Sequence, residues 1–426
     1  MAKKLFIFED EKHDQFFPLT YNRPVYELLC GMTRIKEKIS GLFPDTEVIL
    51  LCRDYLEKVL ISRTRQKVND FNVEDSDQIL LINGRILPSL DFSQKVNYSD
   101  KERFFFQGDN MIGWSGIGEA FRNRQSWFQS LSVKDQIKSL KSEVVFSEVE
   151  VKIANYLWDL VSQNGQEIEA DFNRIKPNLD FKNMFKHCQV DDEALIYNME
   201  KVYIGKDSQI DGQVVLDARN GSIFIGDRVI IRPHTLVMGP CYIGDGSVLV
   251  GGKIREGTSI GPVCKIGGEV EDSIFLGYSN KCHEGFLGHS YVGEWVNLGA
   301  LTTNSDLKNN YSPVKVMVNH DLIDSGLVKV GAFIADHVKT GIGTLLNTGI
   351  SIGFATNLFG GGMIGQKSIP AFFWGSAEKQ ETYDLDKAIE TTRVVMKRRN
   401  VELGIDEEIL FKKIFQLTEK ERRKDS

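Results

Sequence analysis

The sequence predicts an α/β domain followed by a parallel β-helix of hexapeptide repeats, with helices at the C-terminal end. Three observations predict it. Of the 38 glycines, only eight fall within the first 200 residues. Beyond them, aliphatic residues recur every sixth position. The first 185 residues instead alternate short apolar runs with helix-period segments, the mark of strands and helices in a largely parallel sheet. The expected division is 1–185, 186–372 and 373–426.

In chain order, Leu5–Phe8, Val48–Cys52 and Gln78–Asn83 read as buried strands, with helices expected over Tyr26–Ser40 and Arg53–Ile61. The repeat is then carried by Ile225, Ile231, Val237, Ile243 and Leu249. After a slip of one residue it continues at Ile254, Ile260 and Ile266, and later over Ile334, Thr340, Leu346, Ile352, Leu358 and Ile364. Glycine often follows directly, as in Ile243-Gly244 and Ile352-Gly353. A period of six fits neither a helix nor an alternating strand. It fits a coil in which each hexad forms one side of a prism, the aliphatic inward and small residues at the corners. Between Thr302 and Leu327 the rhythm fails, and the polar run Asn304–Pro313 predicts a loop thrown out from the prism. Helices over Tyr383–Arg399 and Asp406–Arg423 are expected to cap the last coil, whose open edge invites aggregation.

The 426 residues carry a net charge of −7, without a basic block, which argues against a nucleic-acid partner. No apolar window reaches the length of a membrane span, and the first apolar run breaks at Glu9, too early for a secretory signal. A cytoplasmic protein is therefore expected. The six cysteines lie far apart with no CxxC pair, so neither a metal site nor a disulfide framework is signalled.

Three stretches carry a family resemblance: Phe17–Pro24 (FPLTYNRP), Gly288–Ala300 (GHSYVGEWVNLGA) and Ile369–Gly375 (IPAFFWG). With the two-part architecture, they make the chain resemble the bifunctional bacterial family that makes UDP-N-acetylglucosamine. Members join a sugar-1-phosphate nucleotidyltransferase to a glucosamine-1-phosphate acetyltransferase. More closely, the chain looks like a divergent branch of sugar nucleotidyltransferases with a shortened N-terminal domain. The resemblance implies a left-handed β-helix and, because family acyl sites lie between neighbouring prisms, a homotrimer.

For nucleotidyl transfer the family pattern is eroded. Its glycine-rich phosphate loop corresponds to Glu11–Gln15, which has no glycine and carries Glu11 and Asp14. Its lysine corresponds to Val25, and its Mg²⁺-binding aspartate, in a Gly-Asp pair, to Gly84-Arg85. Arg23 is the one candidate phosphate contact left, with a structural ion pair as its alternative. Mg²⁺ is expected only if this domain is active.

The acyl site is better kept. In the family, a histidine acts as general base towards an amine that attacks the acetyl-CoA thioester. An imidazole suits this, with an unperturbed pKa near about 6.5. His283 matches that histidine, with Phe286, Leu287 and Gly288 following and Val296-Asn297 at the family spacing. The resemblance makes Asn297 an acceptor contact, Arg255 the substrate-phosphate arginine and Asn304 a loop residue near the acyl group. Two departures stand out: the family tyrosine is Phe286, and its phosphate-binding lysine falls in the acidic stretch Glu269–Ser273. Such acids disfavour a phosphate and favour a cationic amine.

His289 and His337 are alternative bases. Asn297 fits equally a stacked asparagine ladder, and Arg255 a pairing with nearby acids. Lys308 and Lys339 suit acyl-CoA phosphates, or plain solvation. Cys282 beside His283 suggests a Cys/His pair, but neighbours on an extended chain face opposite ways.

Three functions are carried: a CoA-dependent N-acyltransferase acting on an amino sugar phosphate or nucleotide-linked amino sugar, a sugar-1-phosphate nucleotidyltransferase using UTP or dTTP with a rebuilt loop, and a silent scaffold or regulator. The partners expected are small-molecule substrates, with acetyl-CoA as co-substrate.

Overall fold

The computed structural model of the protein describes residues 2–129, 144–376 and 378–422. They form two compact units. The first comprises Met1–Phe16, Asn22–Leu28 and Thr33–Asn155; the second comprises Phe17–Tyr21, Leu29–Met32 and Tyr156–Ser426.

The first unit is built on a seven-stranded mixed sheet. Its strands are β1 (Lys3–Phe8), β2 (Glu47–Leu51), β3 (Lys67–Val68), β4 (Gln78–Asn83), β5 (Arg103–Gln107), β6 (Asn110–Ile117) and β7 (Val145–Glu148). The spatial order is β7-β5-β6-β4-β1-β2-β3. β1 runs parallel to both β2 and β4, with Phe6 opposite Ile49 and Leu81. The hairpin β5–β6, which the sequence reading did not place, adds the antiparallel pairs. Because strand side chains alternate, Phe6, Phe8, Ile49, Leu51, Ile79, Leu81, Phe104 and Trp114 share one buried cluster, joined by Phe121 and Phe128 of the helix Gly118–Gln129.

Tyr26–Ser40 is not one helix. Only Ile35–Ser40 is α-helical, preceded by the short extended segments Leu29–Cys30 and Thr33–Arg34. Gly31, between them, sits at φ +75, and a Cβ there would lie 2.7 Å from both the Asp171 carboxylate and the Glu167 carbonyl. Apolar spacing suggested a helix, but the left-handed glycine ends it. The segment expected as Arg53–Ile61 begins as a 3₁₀ turn and becomes the helix Glu57–Arg63.

In the second unit, short strands stack in parallel, each pairing with one about a coil later in sequence. On one side the inward residues run Ile225, Ile243, Ile260, Phe275, Val292, Ile334, Ile352 and Ile369, each opposite the next. The hexad residues named from sequence join one continuous apolar cluster, except Thr340, which is buried all the same. At the one-residue slip, Leu249 and Ile254, five residues apart, stand opposite Ile231 and Val237, six apart, of the preceding coil, and the strand Val248–Ile254 carries a further register shift between Leu249 and Gly252 against the next. Gly252, at φ +117, lets the Gly268 carbonyl approach to 2.2 Å of where a Cβ would stand.

The expected loop leaves the prism and contains an antiparallel hairpin, Lys315–Val318 with Asp321–Asp324. The last coil's edge is covered by the strand Gln380–Thr382, antiparallel to Phe373–Gly375. The helices Leu385–Lys397 and Ile405–Leu417 flank the coils rather than cap them: Phe411 packs on His337, Phe354 and Phe372 from successive coils. Asp384 caps the first of these helices by accepting from the Lys387 amide. The second helix was expected to end at Arg423, which lies outside the described residues.

Candidate acyl-transfer site and the strand ends of the first unit

His283 lies in the turn that follows the short strand Asn280–Lys281 and is exposed to solvent. With Asn297 and Ile342 it lines a cavity of about 260 Å³. A second cavity of about 600 Å³ adjoins it: Asn280, Cys282 and Asn297 line both. The walls of the larger one include Lys265, Lys339, Arg398 and Arg399, with no carboxylate, and the stacked rings of Tyr278 and Trp295, 4.4 Å between centroids. Arg399 donates to the Asn280 side-chain oxygen at 2.8 Å, and Asn280 donates weakly to Asn297 at 3.4 Å. Burial pushes the Lys339 ammonium down to about 8. The Cys282 thiol is pushed up by burial, so it is held in the unreactive protonated form at neutral pH.

The other named residues stand elsewhere. Arg255 is held by Glu271 at 2.7 Å, Glu256 at 3.4 Å and Glu269 at 3.6 Å. Asn304 is buried and acts as a backbone mimic, accepting from the Gly288 amide at 2.9 Å and donating to its carbonyl at 3.0 Å. His289 is clasped between Asp306 at 2.8 Å and Asp272 at 3.5 Å, and Lys329 pairs with Glu271 at 3.3 Å. His337 is 7% exposed, packed among Trp295, Phe354 and Phe411. Lys308 reaches the Pro313 carbonyl within its own loop. The structure thus gathers His283 and Asn297 at one cavity and leaves Arg255, Asn304, His289 and His337 outside both linings. Sequence reasoning missed Lys265, Arg398 and Arg399, which are distant in the chain and follow no motif.

In the first unit, Arg23 is buried; its carbonyl accepts from Arg53, which pairs with Glu9 at 3.0 Å. Glu9 also accepts from the Val25 amide. The segment matched to the phosphate loop is a 3₁₀ turn, Glu11–Phe16. Open α/β sheets bind ligands at the carboxyl ends of their strands, and here those ends are occupied by protein groups. Asp10, after β1, accepts from Arg85 at 2.6 and 2.9 Å, from Asn83 at 2.8 Å and from the Lys12 amide at 3.2 Å. Arg85 is 1% exposed and donates further to the Ala154 carbonyl, Asn155 and Asn110. Mg²⁺ does not fit this arrangement. The Arg85 guanidinium occupies the place next to Asp10, and both Asp10 carboxylate oxygens are engaged by protein donors. Among the described residues, no three His, Cys, Asp or Glu side chains are grouped as metal ligands.

A family model described as "Sugar nucleotidyl transferase" matches residues 5–178. The chain is 36% identical over 96 residues to a bifunctional sugar-1-phosphate nucleotidylyltransferase/acetyltransferase of Sulfurisphaera tokodaii, covering 22% of this chain and 24% of that protein. It is 24% identical over 398 residues to the bifunctional protein GlmU of Methanococcus aeolicus, covering 80% and 90% respectively. Among solved structures, a UDP-N-acetylglucosamine acyltransferase matches 53% of this chain and 86% of its own at 15% identity, with a TM-score of 0.25. The chain spans 24–30% of the length of the first curated relatives it matches. The family model matches the first unit and the alignment to GlmU of Methanococcus aeolicus runs through both, so the chain is similar to sugar nucleotidyl transferases over its N-terminal part and to bifunctional GlmU proteins over most of its length.

Proposed function

We propose that the protein is a CoA-dependent N-acyltransferase whose acceptor is an amino sugar, carried as a phosphate or a nucleotide conjugate. The observation that carries this reading is the joining of two cavities. The smaller holds an accessible imidazole and an amide; the larger offers four cations and a stacked aromatic wall. In this reading His283 takes the proton from the acceptor amine as its nitrogen attacks the thioester carbonyl. The tetrahedral oxyanion then collapses, the C–S bond breaks, and CoA leaves as the thiolate. Asn297 orients the acceptor. Lys265, Lys339, Arg398 and Arg399 neutralise the phosphates of the acyl donor, which a cleft without carboxylates supports.

Acyl-CoA and the acceptor are bound on the left-handed prism of the family, and a homotrimer brings a neighbouring prism to complete the cleft. Arg255 and Asn304 serve the acceptor from that neighbour, or hold the coil in place through the bonds they already make. Phe286 has no hydroxyl for a sugar phosphate. A thermal-shift panel tests the reading. Stabilisation by acetyl-CoA without nucleotide or metal supports it. Stabilisation only by UTP or dTTP with Mg²⁺ favours nucleotidyl transfer, and none by either favours a scaffold.

A further inference from the structure

The prism interior breaks its own rule on the coil that carries His283. On one side the inward residues run Ile210, Ile231, Leu249 and Ile266, each in register with the next, and Lys281 stands next in line opposite Ile266. Lys281 is 1% exposed. An ammonium in an aliphatic column carries a desolvation cost that an isoleucine or leucine at the same hexad position would avoid. Its Nζ donates to three carbonyl oxygens: Gly267 at 3.0 Å, His283 at 3.2 Å and Gly285 at 2.5 Å. Two of these belong to the turn that bears the candidate base, and the third to the coil before. Gly285, at φ +131, and Gly268, at φ +70, give the backbone the shape that aims these oxygens inward.

We propose that Lys281 is the positioning residue for His283: its buried ammonium gathers the Gly267, His283 and Gly285 carbonyls and so fixes the turn that presents the imidazole to the cavity. The arrangement is that of a caged monovalent cation, with the cation tethered to the chain. Without it, three carbonyl oxygens face one another in an apolar interior, and the turn relaxes by rotating them outward. The imidazole moves with them. A misplacement of about 1 Å at a reacting group costs on the order of 10²-fold in rate. This inference rests on the acyl-transfer reading for its kinetic consequence, but its geometric content is independent of any substrate.

Lys281→Met supplies the test, since it returns an unbranched apolar side chain to the hexad position. The trimer and the thermal midpoint should be kept or improved. For acyl transfer, kcat should fall about 10- to 100-fold while KM for acetyl-CoA stays within about threefold. Lys281→Ala, which leaves the carbonyl cage empty, should regain activity on addition of methylammonium, and Lys281→Met should not. In parallel, ¹⁵N NMR of the histidine rings reads the turn directly: the His283 signals should broaden or shift in Lys281→Met and those of His320 should stay. Unchanged kcat together with unchanged His283 signals overturns the proposal. If wild type turns over no acceptor, the acyl-transfer reading fails by itself, and the NMR comparison alone decides whether Lys281 positions the ring.

Discussion

Removing the Arg85 guanidinium tests how the strand ends of the first unit are held. Arg85→Ala deletes three charge-assisted bonds to Asp10 and the bonds to Ala154, Asn155 and Asn110, all at 2.6–3.1 Å. Asp10 is 8% exposed and would keep only Asn83 and the Lys12 amide. Breaking a buried pair from one side leaves an uncompensated charge and costs about 3–5 kcal/mol. At about 1.4 kcal/mol per decade, that corresponds to roughly 10²- to 4 × 10³-fold faster exchange for amides protected by opening of this unit. Hydrogen exchange by mass spectrometry on peptides covering β1 and β4 reads it, with prism peptides as the internal reference. Arg85→Met combined with Asp10→Leu should recover much of the loss, because no charge is then stranded. Mg²⁺ should protect neither wild type nor variant. A loss under about 1 kcal/mol, or protection of wild-type β1 and β4 by Mg²⁺, would refute the reasoning that a resident guanidinium has displaced the metal.

Two further outcomes follow from burial and backbone shape. Burial pushes the Lys281 ammonium down to about 8 against an ordinary value of 10.5, so the charged form is disfavoured in the fold. Between pH 8 and 10.5 the native state sheds a proton that the unfolded state keeps, and stability rises with pH. In urea titrations, wild type should therefore gain on Lys281→Met by about 3 kcal/mol across that window, and a constant difference would contradict it. Gly31→Ala sets a Cβ against the Glu167 carbonyl and the Asp171 carboxylate at φ +75; it should cost about 2–4 kcal/mol, read by the loss of denaturation midpoint.

The prism was legible because its rule is local. Each hexad needs one inward aliphatic, and Ile225 through Ile266 and Ile334 through Ile364, Thr340 apart, state it without help from distant residues. Even the slip after Leu249 was visible as a break in counting, and the structure sets its five-residue step opposite the six-residue step Ile231 to Val237. What the sequence hid was what breaks that rule. Lys281 and Asn304 occupy inward positions, but their polarity removes them from a search for aliphatics. For Arg255 the sequence reading held both a phosphate contact, from the resemblance, and a pairing with nearby acids; the structure shows the pairing, with Glu269 and Glu271 of the following coil. Tyr26–Ser40 kept a helical spacing of apolar residues while Gly31 turned the chain. The hairpin β5–β6 carried its signal in Gly108-Asp109-Asn110, with Gly108 at φ +54. Arg398 and Arg399 reach the larger cavity from the end of a helix more than 100 residues beyond Asn280, a proximity that only folding creates.

The central claim is that His283 is the base of an acyl transfer, and the most direct measurement is turnover of acetyl-CoA with an amino sugar acceptor by wild type and His283→Ala. His283 is exposed and outside the aliphatic columns, so its loss should change stability by no more than about 0.5 kcal/mol. Acetyl-CoA binding and the oligomeric state of the wild type should persist. General-base catalysis contributes about 10²–10⁴-fold, and kcat should fall by that factor. Full activity in His283→Ala on an acceptor that wild type acetylates would contradict the account.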